Sequence, residues 1–180
     1  MRQQDNKIIF TGPVGAGKTT AIASISEISP VSTDVQASDM TLNRKGETTI
    51  ALDYGLMQLG DGVRVHLYGT PGQERFDFMW EIISKGAIGL IVLIDNSRPN
   101  PSGDLQFFLN AFKTLRTHAP LVIGVTKTDQ APQPSVEVYA SLLEKFGLHP
   151  PILEVDPRNG DEVRQLLMAL LFTIDPGLEG

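Results

Sequence analysis

The run Gly12-Pro13-Val14-Gly15-Ala16-Gly17-Lys18-Thr19 is a complete G-x-x-x-x-G-K-[ST] pattern, and each position in it has a chemical reason. Gly15 and Gly17 let the backbone curl so that its N–H groups converge on an anion. A helix starting at Lys18 adds the partial positive charge of its N-terminus. Lys18 brings a mobile cation suited to the β- and γ-phosphates of a nucleotide, and the Thr19 hydroxyl is a hard oxygen able to ligate Mg²⁺. Gly12, Val14, Gly15, Ala16, Gly17, Lys18, Thr19 and Thr20 are therefore read as phosphate-binding residues. Alone, the loop does not choose between a GTPase, an ATPase and a kinase.

Four later segments bear on that choice. Thr126-Lys127-Thr128-Asp129 follows a short apolar run and resembles the N-K-x-D guanine motif, with Thr126 in place of Asn. Gly69-Thr70-Pro71-Gly72-Gln73-Glu74-Arg75-Phe76 resembles the D-x-x-G-Q-E motif that opens the second switch of small GTPases, with Gly69 where that pattern has Asp. Thr48-Thr49-Ile50-Ala51-Leu52-Asp53-Tyr54 resembles the end of the first switch in Rab- and Arf-like proteins. Glu154-Val155-Asp156-Pro157-Arg158-Asn159-Gly160 stands where the S-A-K loop is expected. In this order and over nearly the whole chain, the motifs resemble those of small Ras-like GTPases. Gly69 and the T-K-x-D form further resemble a bacterial branch related to the signal recognition particle receptor β subunit and the cell-polarity GTPases of gliding bacteria.

The resemblance implies roles. Asp129 would accept two hydrogen bonds from the guanine ring N–H and amino group, a contact adenine does not offer, while the Lys127 stem lies along the base. The Thr126 hydroxyl would do part of the work of the usual Asn. Gln73 would orient the hydrolytic water, and together with Lys18 it is the catalytic expectation. The Gly72 N–H would touch the γ-phosphate. Thr19 and Thr49 would hold Mg²⁺, with Thr48 the rival of Thr49. Pro157 would pack at the base edge without an N–H to donate, and Arg158 would either stack on the base or stay solvated. Arg44 could be an arginine finger in the first switch or a solvated loop residue. A GTP/GDP switch regulated by a partner of roadblock/LC7 fold follows from the same resemblance.

These residues need a scaffold that alternates strands and helices, and the sequence has that pattern. Apolar runs at Lys7–Thr11, Ala87–Ile94, Leu121–Val125 and Ile152–Val155 read as buried strands. Thr49–Leu59 and Val63–Tyr68 flank Gly60-Asp61-Gly62 and read as one antiparallel hairpin. Helices are expected over Lys18–Ile28, Phe76–Lys85, Asp104–Thr117, Ser135–Phe146 and Asp161–Phe172. The total is six strands and five helices in a three-layer α/β/α domain, a P-loop Ras-like G domain spanning residues 1–180. Val31–Glu47 is polar and aperiodic, and reads as a long connecting loop that moves. Trp80, Phe76 and Met79 are expected to pack the second switch helix.

Bulk properties exclude other classes. A net charge of −6 with scattered basic residues argues against nucleic-acid binding. The chain has no cysteine, and so no disulfide or thiolate metal site. No apolar run is long enough to span a bilayer and the N-terminus lacks a signal-like stretch, so a cytoplasmic protein is expected. Two rivals to the switch stay open: a module that binds nucleotide without turning it over, and a small-molecule kinase, which would need an Arg-rich lid.

Overall fold

The computed structural model describes residues 6–29, 31–36, 49–72 and 77–177. All six expected strands are present: β1 (Asn6–Thr11), β3 (Thr49–Leu59), β4 (Val63–Gly69), β5 (Ala87–Asp95), β6 (Leu121–Thr126) and β7 (Ile152–Glu154). A further strand, β2 (Val31–Gln36), joins them, so the sheet order is β2-β3-β4-β1-β5-β6-β7. β2 corrects the reading of Val31–Glu47 as loop throughout: its first six residues pair antiparallel with β3, from Val31↔Tyr54 to Gln36↔Thr49. Residues 37–48 lie outside the described residues, and with them the expectations placed on Thr48 and Arg44.

The central strands are apolar because both faces are covered. On one side Ile8, Phe10, Ile91, Leu93 and Val122 pack against helices α1 (Lys18–Ile25) and α5 (Gly160–Ile174). On the other, Ile9, Leu90, Val92, Ile94 and Ile123 pack against α2 (Asp77–Ser84), α3 (Pro101–Ala111) and α4 (Val136–Lys145). Odd and even residues of one strand thus serve opposite layers, as strand geometry requires. α2, α4 and α5 begin within one residue of expectation, and α3 begins three residues early. α3 starts at Pro101, since Pro suits the first helical turn and the Asn100 side chain accepts from the Gly103 N–H at 3.0 Å. It ends at Ala111, and a separate 3₁₀ turn covers Leu115–Thr117. α5 is capped by Asn159, whose side chain accepts from the N–H groups of Asp161 and Glu162.

This topology carries the C-terminal ends of β1, β5 and β6 to one edge, where open α/β sheets place their ligands. Among the described residues no helix is long and apolar enough to cross a membrane.

Candidate functional site

Gly12 leaves β1 at φ 142°, and Gly15 and Gly17 follow at φ 84° and 95°, all three in conformations that L-residues with a Cβ rarely adopt. Gly17 is also the N-cap of α1, so the chain turns from loop to helix with its free N–H groups facing the concavity. Its second constraint comes from Pro157. A Cβ on Gly17 would lie 2.5 Å from the Pro157 Cγ, so the proline ring packs directly on the loop. Gly72, from the turn after β4, closes on the same loop: a Cβ there would lie 2.5 Å from the Val14 N and 2.9 Å from the Lys18 Nζ.

Lys18 is only 8% exposed, and its ammonium donates to the carbonyls of Gly12 at 2.7 Å and Pro13 at 2.8 Å. Burial pushes its pKa down to about 8; the Asp53 carboxylate pulls it back up and Arg98 adds to the depression. Phosphate oxygens favour the charged amine, so nucleotide binding raises this pKa again. Above pH 8 the free amine has lost its proton and must regain it on binding. Affinity for a nucleoside triphosphate is therefore expected to be full below pH 8 and to fall about tenfold from pH 7 to pH 9. Calorimetry at pH 8.5 in two buffers of different ionisation enthalpy should register the proton uptake; a buffer-independent heat would remove Lys18 as its source.

Thr19 donates its hydroxyl proton to the Asp53 carboxylate of β3. A hydroxyl so engaged offers lone pairs elsewhere, and with the carboxylate it forms a pair of hard oxygen donors. That chemistry fits Mg²⁺, which takes one or two protein oxygens and fills its shell from phosphates and water. No group of three or more His, Cys, Asp or Glu residues able to cage a metal exists among the described residues.

The other end of the site is built by β6 and the loops after β6 and β7. A cavity of about 590 Å³ is lined by Gly15, Ala16, Thr20, Lys127, Asp129 and Arg158 among others. Thr126 is fully buried and its hydroxyl donates to the Ala16 carbonyl at 3.1 Å, which ties β6 to the phosphate loop. Lys127 stands at φ 59° and its ammonium pairs with Asp95 at the end of β5, at 2.6 Å. The Lys127 and Ser97 hydrogen bonds outweigh burial and hold the Asp95 carboxyl below its ordinary range. Asp129 is exposed to the cavity. The loop carrying it is fastened by buried Asn96, which donates to the carbonyls of Ala131 at 2.6 Å and Pro134 at 3.1 Å.

Arg158 engages Asp156 at 2.8 Å while 75% exposed, and this pairing holds the Asp156 carboxyl at about 2. Its guanidinium lines the cavity but is turned to its neighbour. Pro71, just past β4, is held by Trp80, whose indole N–H donates to the Pro71 carbonyl at 3.1 Å while its ring stacks on Phe112 at 5.5 Å. Thr49 opens β3 opposite Gln36, and Gln73 lies outside the described residues.

The phosphate-loop residues, Gly72, Thr126, Lys127, Asp129, Pro157 and Arg158 thus meet along one sheet edge. Asp53 and Asp95, which touch Thr19 and Lys127, carried no expectation, since only strand register brings them there.

Comparison with known proteins places this geometry. A family model described as conserved hypothetical ATP binding protein matches residues 30–169. The chain belongs to that family. An uncharacterized protein of Methanocaldococcus jannaschii is 32% identical over 148 residues, covering 81% of this chain and 85% of its own. Ras-related protein Rab-27A of Rattus norvegicus is 26% identical over 196 residues, covering 96% and 80% respectively. The mutual gliding-motility protein MglA of Myxococcus xanthus is 26% identical over 113 residues, covering 61% and 57%. This member of the conserved hypothetical ATP binding protein family is accordingly a nucleotide-binding P-loop protein with a Ras-like G-domain fold.

Proposed function

We propose that this chain is a single G domain that binds GTP and GDP as a cytoplasmic molecular switch and hydrolyses GTP slowly. The observation that carries the choice of base is Asp129, an exposed carboxylate at the far end of a cavity that begins at the phosphate loop. A carboxylate accepts and cannot donate, so it suits the guanine ring N–H and amino group and repels the acceptor nitrogens of adenine. The loop N–H groups and Lys18 would cradle the phosphates, and Thr126 would keep loop and base site at a fixed spacing. Thr19 and Thr49 would hold Mg²⁺, which when bound neutralises charge on the phosphate oxygens. Gln73 would orient the attacking water.

The relatives described as Ras-related, together with the gliding-motility relative, support the switch reading. A roadblock/LC7-type partner that accelerates hydrolysis belongs to the same proposal. Against guanine stands the description of the family as ATP binding. Calorimetric titration of the purified chain with GDP, GTP and ATP separates the two: guanine nucleotides are expected to bind at least about 100-fold tighter, the worth of two charge-assisted hydrogen bonds. Equal affinity for ATP would sink the guanine reading at Asp129. Single-turnover assays would then show whether bound GTP is hydrolysed or only held.

A further inference from the structure

Gly69 ends β4 beside the phosphate loop and has no side chain to offer. In the sheet register its partner on the adjacent antiparallel strand is Asp53. A Cβ built on Gly69 would lie 3.0 Å from the Asp53 Cβ, 3.2 Å from its Oδ2 and 3.1 Å from the Ile22 Cδ1. The space that a residue-69 side chain would enter is therefore filled by the Asp53 carboxylate, which arrives from the neighbouring strand. That carboxylate accepts the Thr19 hydroxyl proton and lies close enough to Lys18 to favour its charged form. Asp53 is only half-buried.

From this juxtaposition we propose that Asp53 of β3 supplies the acidic group of the Mg²⁺ site, across the strand pair from Gly69, acting with Thr19 on the metal that accompanies the nucleotide. The inference rests on the nucleotide-binding reading above but not on the identity of the base. A Cβ at position 69 would require the Asp53 side chain and the Ile22 methyl to give by a few tenths of an ångström, so residue 69 and the Asp53 carboxylate share one tight space beside Thr19. The arrangement also ties metal retention to β3, the strand that continues from residues 37–48 and pairs with β2.

The test uses the whole chain, fluorescent mant-GDP and mant-ADP, and release rates measured over a Mg²⁺ series and in EDTA. Asp53→Asn keeps the shape and an acceptor for Thr19 while removing the charge. The Mg²⁺ concentration that half-maximally slows release is expected to rise about 10- to 100-fold in this variant. In EDTA its release should be no faster than wild type, because a negative charge next to the phosphates has been removed. A residue with a merely structural role would speed release equally with and without metal. Asp53→Glu keeps a carboxylate and should lie between the two. Mn²⁺ titration of the nucleotide complex followed by electron paramagnetic resonance should show the same ranking. An unchanged Mg²⁺ midpoint in Asp53→Asn, or equal shifts in the Asn and Glu variants, would overturn the assignment while leaving nucleotide binding intact. Failure of the wild type to bind either probe would overturn both readings.

Discussion

Replacing Gly12 by alanine is expected to remove about 3–5 kcal/mol of folding stability, a large part of what a domain of this size has to lose. Two independent causes add. Gly12 stands at φ 142°, where a Cβ is strained, and that Cβ would lie 2.0 Å from the Leu93 carbonyl oxygen in the middle of β5. Neither β1 nor β5 can retreat, because their registers are fixed from Ile8↔Gly89 to Thr11↔Val92 and both faces are packed. Gly62 provides the contrast. It has φ 81° but no atom within 4 Å of its missing Cβ, so Gly62→Ala should cost only the backbone penalty, about 1 kcal/mol. Urea denaturation of the two variants against wild type checks the pair. A loss at Gly12 no greater than at Gly62 would mean that β1 and β5 are far more compliant than their packing implies.

Asp129→Ala is the second large effect, and it should fall on affinity rather than stability. Asp129 is exposed and lines the cavity, so the fold does not rely on it. Two hydrogen bonds from a guanine to an ionised carboxylate are together worth about 3 kcal/mol net, hence a loss of about 100-fold in GDP affinity with an unchanged denaturation midpoint. ATP binding, if measurable, should be unaffected or slightly improved. The neighbouring ion pair sharpens the comparison. Lys127 is held by Asp95 at 2.6 Å, so the arm beside the base stays in place when Asp129 is truncated. A fall in GDP affinity of less than about threefold would show that the base is read elsewhere.

What could be read from the sequence divides along physical lines. The phosphate loop was legible because its demands are local: glycines at required conformations, a lysine and a hydroxyl in fixed succession. The central strands were legible because burial on both faces makes them continuously apolar, as in β5. β2 was missed although Val31, Thr33 and Val35 alternate with Ser32, Asp34 and Gln36. An edge strand with two strongly apolar residues carries a period-two signal too faint to separate from loop. Asp53 could be read as part of a strand but not as a neighbour of Thr19 or Gly69, since that depends on the antiparallel register between β3 and β4. Asp95 is hidden in the same way, because only the β5–β6 register sets it opposite Thr126 and next to Lys127. Arg158 illustrates the opposite limit: its residue type left stacking and solvation both open, and the structure shows it largely exposed and paired with a carboxylate two residues away.

The sheet order has a mechanical meaning. β2, β3 and β4 form an antiparallel wing carrying Asp53, and β1, β5, β6 and β7 form a parallel slab carrying the phosphate loop and the cavity beside it. Within the sheet the wing meets the slab along one ladder, β4 against β1, pinned at its upper end by the Thr70 N–H to the Phe10 carbonyl and by the Thr11 and Thr70 hydroxyls at 2.8 Å; outside the sheet, Thr19 and the end of α1 also bond to β3. A nucleotide lying along the upper edge would rest its base on the slab and its terminal phosphate against the wing, bridging that seam like a second fastener. On the switch reading proposed above, loss of the terminal phosphate would remove that fastener from the wing and leave the contacts at the β6 and β7 loops, so the two halves of the sheet would answer to different ends of the same ligand.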